Sequence, residues 1–76
     1  MAVYSSEYIG DICRDIINHP YVQQDAWRTN FCLSIQVQTE QSRTVRLSER
    51  QYQKLAEIAQ LCKKYDELQQ QRERNV

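Results

Sequence analysis

The chain has 76 residues, which is enough for one domain and close to the lower limit at which a single hydrophobic core suffices. Ten basic and ten acidic residues give a formal net charge of zero, so the overall charge does not favour binding to nucleic acid. Apolar residues make up 41% of the chain and charged residues 26%, which is typical of a folded soluble domain.

Segments for membrane insertion or secretion are not expected. No apolar run approaches the roughly 18 residues that a membrane-spanning helix needs, and the first residues lack the basic and apolar regions of a secretion signal. The three cysteines, Cys13, Cys32 and Cys62, are odd in number and widely spaced. This pattern favours free thiols in a reducing cytoplasm over a disulfide scaffold.

The first predicted element is a helix over about residues 5–18. Ser5 is suited to cap its N-terminus, and apolar residues from Ile9 to Ile16 recur on one face at helical spacing. Pro20 limits the helix on its C-terminal side, because proline disfavours helical geometry in the residue before it.

The next segment, residues 20–28, forms either a short helix or an ordered loop pinned by Tyr21 and Trp27. The short helix is favoured because Pro20 suits the first position of a helix. His19, the only histidine, is expected to interact with the terminal carbonyls of the preceding helix.

An antiparallel β-hairpin is predicted for residues 31–38 and 44–47. Residues 31–38 alternate apolar and polar side chains, and residues 44–47 resume this period of two after a short polar break. The apolar face of the first strand comprises Phe31, Leu33, Ile35 and Val37, and Cys32 points with the polar residues.

A long helix is predicted over residues 49–72, followed by a frayed tail at 73–76. Ser48 and Gln51 have the spacing of a capping box at its start. The predicted fold class is therefore α+β: one small domain, residues 1–76, in the order α–(short α or loop)–β–β–α, with an antiparallel β-hairpin covered on one face by helices.

The last helix carries two apolar stripes. The first, which is the natural core face, comprises Tyr52, Leu55, Ala59 and Cys62. The second comprises Ile58, Leu61, Tyr65 and Leu68, at spacings of three and four. The second stripe either completes a small core or forms a protein interface. Because a lone two-stranded sheet is barely stable, the interface is favoured.

A homodimer is the expected assembly, formed through the second stripe or by pairing hairpin edges into a four-stranded sheet. Tyr8 and Tyr21 are further candidates for contact with a protein partner, since tyrosine is favoured in interfaces.

Catalytic, metal and cofactor sites are not predicted. Gly10 is the only glycine, so the chain has no Gly-rich loop for a phosphate. His19 and the three cysteines are a chemically sensible zinc set, but their spacings match no zinc finger or knuckle.

A basic cluster offers a second function. The cluster lies around the predicted hairpin tip, the second strand and the helix start, and it comprises Arg43, Arg46, Arg50 and Lys54. The segment TVRLSERQYQKLAEIA locally resembles the strand-to-helix transition of ribbon-helix-helix repressors, over about 16 residues, and the resemblance implies base contacts from paired strands. Those repressors have one strand before two short helices, unlike this chain. Gln36 and Gln38 are the corresponding candidates for base contacts.

The sequence therefore leaves two functions open. The first is a non-enzymatic protein-binding module, such as a small adaptor or an inhibitor encoded by a phage or mobile element, that occludes a partner surface. The second is a small dimeric nucleic-acid-binding transcriptional regulator that uses the basic cluster.

Overall fold

The computed structural model describes residues 2–74. Its elements, in chain order, are β1 (Ala2–Ser5), α1 (Ser6–Ile17), α2 (Pro20–Gln23), α3 (Ala26–Gln41), β2 (Thr44–Leu47) and α4 (Glu49–Arg74). The strands β1 and β2 form a two-stranded antiparallel sheet. The predicted α+β class with a two-stranded antiparallel sheet is thus confirmed, but one strand precedes α1, so the predicted order α–(short α or loop)–β–β–α is wrong.

The first helices form where local signals place them. The Ser5 side chain accepts a hydrogen bond from the Tyr8 backbone N–H and caps α1, which ends at Ile17. Pro20 occupies the first turn of α2, so the short helix is confirmed, although it ends at Gln23 rather than at residue 28.

The strand predicted at residues 31–38 is wrong, because these residues lie within α3. Asp25 caps this helix by accepting the Trp27 N–H at 2.9 Å. An alternating segment also contains apolar pairs four residues apart, which is helical spacing. The helix turns Cys32 and Ile35 into the core and leaves Leu33 half exposed.

The sheet instead pairs β2 with a strand at the start of the chain. Strand β2 lies where it was predicted, but its partner is Ala2–Ser5, with Ala2 opposite Leu47 and Ser5 opposite Thr44. Three helices therefore separate the two strands. At the end of the sheet, Ser6 donates its backbone N–H to the Arg43 carbonyl at 2.9 Å.

Helices α1, α3 and α4 enclose the core together with the inner face of β2. Helix α1 approaches α3 closely at Gly10, where a Cβ atom would lie 3.3 Å from the Thr39 hydroxyl oxygen. The largest fully buried apolar side chains are Ile9, Val22, Ile35, Leu47, Leu55 and Ile58.

The capping box at the start of α4 is confirmed. Ser48 Oγ accepts the Gln51 N–H at 3.1 Å, and Gln51 Oε1 accepts the Ser48 N–H at 2.8 Å. The helix continues to Arg74, two residues beyond the predicted end at 72, and the rest of the predicted tail, residues 75–76, lies outside the described residues. Its 26 residues make the molecule elongated, 47 × 19 × 19 Å.

Candidate functional site

One face of α4 remains open to solvent beside α2 and α3. Its residues recur at spacings of four, three, four, three and four, so they lie within about 80° of one another around the helix axis. We call this face the α4 strip; it comprises Arg50, Lys54, Glu57, Leu61, Lys64 and Leu68. The strip lines two consecutive grooves.

The first groove lies between α3 and the beginning of α4 and has a volume of about 400 Å³. The capped start of α3 places Trp27 in it, and the Trp27 side chain is 54% exposed. The Trp27 and Phe31 rings stack with centroids 5.2 Å apart. Lys54 Nζ lies 5.4 Å from the Trp27 ring centroid and 3.7 Å from Glu57 Oε1. The groove thus combines an exposed aromatic surface with a cationic edge.

The second groove, of about 160 Å³, continues along α4 against Tyr21. Leu61 and Tyr65 are half-buried in it, and Leu68 is 52% exposed. Arg28 holds Tyr21 in place: its guanidinium carbon lies 4.0 Å from the Tyr21 ring centroid, and its Nη1 donates to the Tyr21 carbonyl at 3.0 Å. This groove is therefore a largely apolar surface with two cations beside it, Lys64 in its lining and Arg28 on the Tyr21 ring.

His19 fastens the second half of α4 to the rest of the molecule. Its Nδ1 accepts the Tyr21 N–H at 3.1 Å, and its Nε2 lies 2.9 Å from Asp66 Oδ1. The Tyr65 ring meets the imidazole edge-on, with centroids 5.4 Å apart. The hydrogen bond from Tyr21 requires the proton on Nε2, so Nε2 donates to Asp66 in the neutral ring.

The contacts of His19 differ from the predicted ones. Its side chain caps α2, and only its backbone N–H reaches the end of α1, donating to the Ile16 carbonyl at 3.0 Å. Both ring nitrogens are engaged in structural hydrogen bonds, so the imidazole has no free nitrogen with which to act on a substrate.

The strip carries a positive charge. Three of its residues are basic and one is acidic, so its net charge is 3 − 1 = +2. Lys54 pairs with Glu57 inside the strip. Among the side chains that the structure describes, Arg50 and Lys64 form no ion pair.

The predicted interface residues divide into three groups. Leu61, Tyr65, Leu68 and Tyr21 come together in the second groove. Ile58 is 1% exposed and belongs to the core, so its assignment to the interface is wrong. Tyr8 is exposed but lies elsewhere, with its hydroxyl 3.0 Å from that of Tyr52.

The predicted nucleic-acid residues also divide. Arg50 and Lys54 line the first groove, whereas Arg43 and Arg46 are exposed at β2 and do not line it. Gln36 and Gln38 lie on α3, so the predicted base contacts from paired strands are wrong for them.

The three thiols all lie in the core, on three different helices. Cys32 is fully buried, so its predicted place among exposed polar residues is wrong. Burial raises the pKa of the Cys13 thiol to about 12 and that of Cys32 to about 11, and it also raises the pKa of Cys62. The thiols are thus protonated and unreactive near neutral pH. Across residues 2–74 no three histidine, cysteine or acidic side chains are arranged to hold a metal ion.

No protein-family model, curated protein or solved structure matches this chain. Within the described part of the chain, none of the helices combines the length and the apolar character required to cross a membrane.

Trp27, Glu57 and Lys64 line the grooves but were not among the residues predicted for a site. The regular spacing from Arg50 to Leu68 was visible in the sequence and could have identified the strip. The position of Trp27 depends on α3, and the sequence pattern predicted a strand instead of this helix from residue 31 onward.

Proposed function

We propose that the protein is a non-enzymatic protein-binding module that uses the α4 strip to occlude a partner surface. The observation that carries this proposal is the run of apolar side chains left open along the second groove, which ends at the half-exposed Leu68. Exposed leucine and aromatic side chains that adjoin one another are typical of protein interfaces. The exposed Trp27 extends the same surface at its other end.

The proposal is tested by comparing two single substitutions at half-exposed leucines. Leu68→Glu places a charge in the strip, and Leu33→Glu places the same charge on the outer face of α3. Both variants are expected to fold with a free energy of unfolding within about 0.5 kcal/mol of the wild type, since neither side chain is in the core. In selections from a library of displayed protein fragments, Leu68→Glu loses the fragments that the wild type enriches, and Leu33→Glu keeps them. If both variants keep them, the strip is not the binding surface.

We propose the homodimer only as the alternative use of the strip, since a net charge of +2 on each strip opposes the pairing of two copies. Static light scattering over a hundredfold dilution, for the wild type and for Leu61→Glu/Leu68→Glu, measures whether this homodimer forms. A dimer that the double substitution converts to a folded monomer places the contact in the strip. A dimer that survives the substitution places the contact elsewhere, for example at the edges of β1 and β2.

A nucleic-acid-binding regulator is the second candidate. It is favoured by one observation: an exposed Trp27 ring, stacked on Phe31, beside the cations Arg50 and Lys54. Exposed rings beside cations are typical of surfaces that stack bases. This function predicts retention on DNA that falls with salt and with Arg50→Ala or Lys54→Ala. No retention at low salt rules it out.

We propose a cytoplasmic location for the protein. The support is that all three cysteines are free and buried, which suits a reducing compartment.

A further inference from the structure

We infer that the occupant of the α4 strip is an acidic amphipathic helix of another protein. This inference rests on the proposed protein-binding function and specifies the chemistry of the partner. Its basis is that one continuous surface combines a positive charge, apolar contacts towards both ends and the length of a helix.

The charge of the strip selects against a second copy of the chain. In a symmetric dimer the same patch of each copy meets the other. Two strips, each with a net charge of +2, would then face one another, and Arg50 and Lys64 have no carboxylate of their own to offset the repulsion. A helix with carboxylates along its flanks supplies the missing partners for both cations.

The shape of the strip suits a helix. From Arg50 to Leu68 it extends about 27 Å, the length of a helix of five turns. Apolar contacts lie towards both ends, Trp27 in the first groove and Leu61 with Leu68 in the second. A helix seated in the two grooves would present apolar residues at intervals of three and four, as in other helix-in-groove complexes.

A nucleic-acid strand fits the whole strip less well. Glu57 lies midway along it and would oppose a phosphodiester backbone. In the second groove a strand would cover Leu61 and Leu68, which offer apolar surface and no hydrogen bonds to bases. Carboxylates spaced on a helix can engage Arg50 and Lys64 and leave Glu57 between them.

The inference is tested with two synthetic helical peptides of roughly 20 residues, enough for the five turns of the strip. Both have leucines on one face and no aromatic residue; one has glutamates on the flanks and the other has lysines at the same positions. Trp27 is the only tryptophan, so its fluorescence reports binding without a label on the protein. Fluorescence anisotropy of labelled peptides gives the affinities. The acidic peptide is expected to bind and to move Trp27 emission to shorter wavelengths.

Charge reversal supplies the decisive comparison. Arg50→Glu/Lys64→Glu is expected to weaken the acidic peptide by roughly tenfold or more and to create binding of the basic peptide, since each flank pair contributes up to about fivefold. The control is Lys63→Glu, which alters an exposed lysine of the same helix on the side facing α1. It should leave the affinity of both peptides within about twofold.

Any of three results overturns the inference. The wild type binds both peptides with equal affinity, the double reversal leaves the preference for the acidic peptide unchanged, or the protein binds single-stranded oligothymidylate instead of the acidic peptide. If the peptides fail while Leu61→Glu/Leu68→Glu abolishes dimerisation or Leu68→Glu abolishes fragment selection, the occupant is different but the strip remains a protein-binding surface. If all of these measurements fail, the proposed function is wrong as well.

Discussion

Alanine substitutions at Ile35 and at its exposed neighbours on α3 test whether residues 31–38 form this helix or the strand predicted from the sequence. Ile35 is 2% exposed, whereas Leu33 and Val37 are 44% and 48% exposed. In an alternating strand, all three side chains would lie on the same buried face. In α3, only Ile35 of these three side chains points into the core.

The expected losses of stability follow from this burial. Ile35→Ala removes three buried carbons, worth about 2.5 kcal/mol of transfer free energy, and the cavity raises the loss to about 3–4 kcal/mol. Leu33→Ala and Val37→Ala should change the free energy of unfolding by no more than about 0.5 kcal/mol, because little burial is lost and alanine favours the helix.

Urea unfolding followed by far-UV circular dichroism measures these differences. The comparison holds when the dependence of the free energy of unfolding on urea concentration is the same for each variant. A domain of this length has a stability of about 4–11 kcal/mol, so Ile35→Val, with an expected loss of about 1 kcal/mol, keeps the test usable if Ile35→Ala does not fold. A loss above about 2 kcal/mol for Leu33→Ala or Val37→Ala would refute the position of α3.

Two further predictions concern the core thiols and the cap of α4. Because the folded pKa is about 12 for Cys13 and about 11 for Cys32, against an ordinary value of 9.0, both states keep these protons below pH 9, and above it only the unfolded chain loses them. The free energy of unfolding should therefore fall above pH 9, by about 1.4 kcal/mol per pH unit and thiol, until the folded thiols ionise as well. Urea titrations at several pH values measure this fall, which should be shallower in Cys13→Ala. An equally steep fall in the variant would contradict the raised pKa of Cys13. Ser48→Ala should cost about 1 kcal/mol by removing the acceptor of the Gln51 N–H, whereas the exposed Ser34→Ala on α3 should be neutral in the same assay.

Local signals made part of the fold predictable. Ser48 and Gln51 are three residues apart and marked the start of α4 correctly. Val45 and Leu47 alternate with exposed residues and marked β2. Such signals depend on neighbouring residues alone, so they could be identified without the rest of the structure.

The missed elements depend on distant contacts. Residues 31–38 satisfy both periods, and packing against α1 selects the helix. Strand β1 forms only because β2, some forty residues later, pairs with it, and Tyr4 is fixed by stacking on Tyr52 with centroids 4.6 Å apart. Four residues carry too little pattern to predict such a pairing.

The candidate site was half predictable for the same reason. Leu61, Tyr65 and Leu68 share one helix, so their spacing placed them on one surface. Trp27 joins that surface only through the packing of α3 on α4. The sequence therefore assigned the apolar and basic parts of one strip to two competing functions.

The most direct test of the α4 strip is an NMR titration of ¹⁵N-labelled protein with the acidic helical peptide. Binding of the peptide in the strip predicts chemical-shift changes at the Trp27 indole N–H and at the backbone amides of Leu61 and Leu68. It predicts none at Leu33 or at Arg46. Shifts confined to α3 or to the sheet, or no shifts at peptide concentrations that saturate the anisotropy signal, would contradict the assignment of this surface.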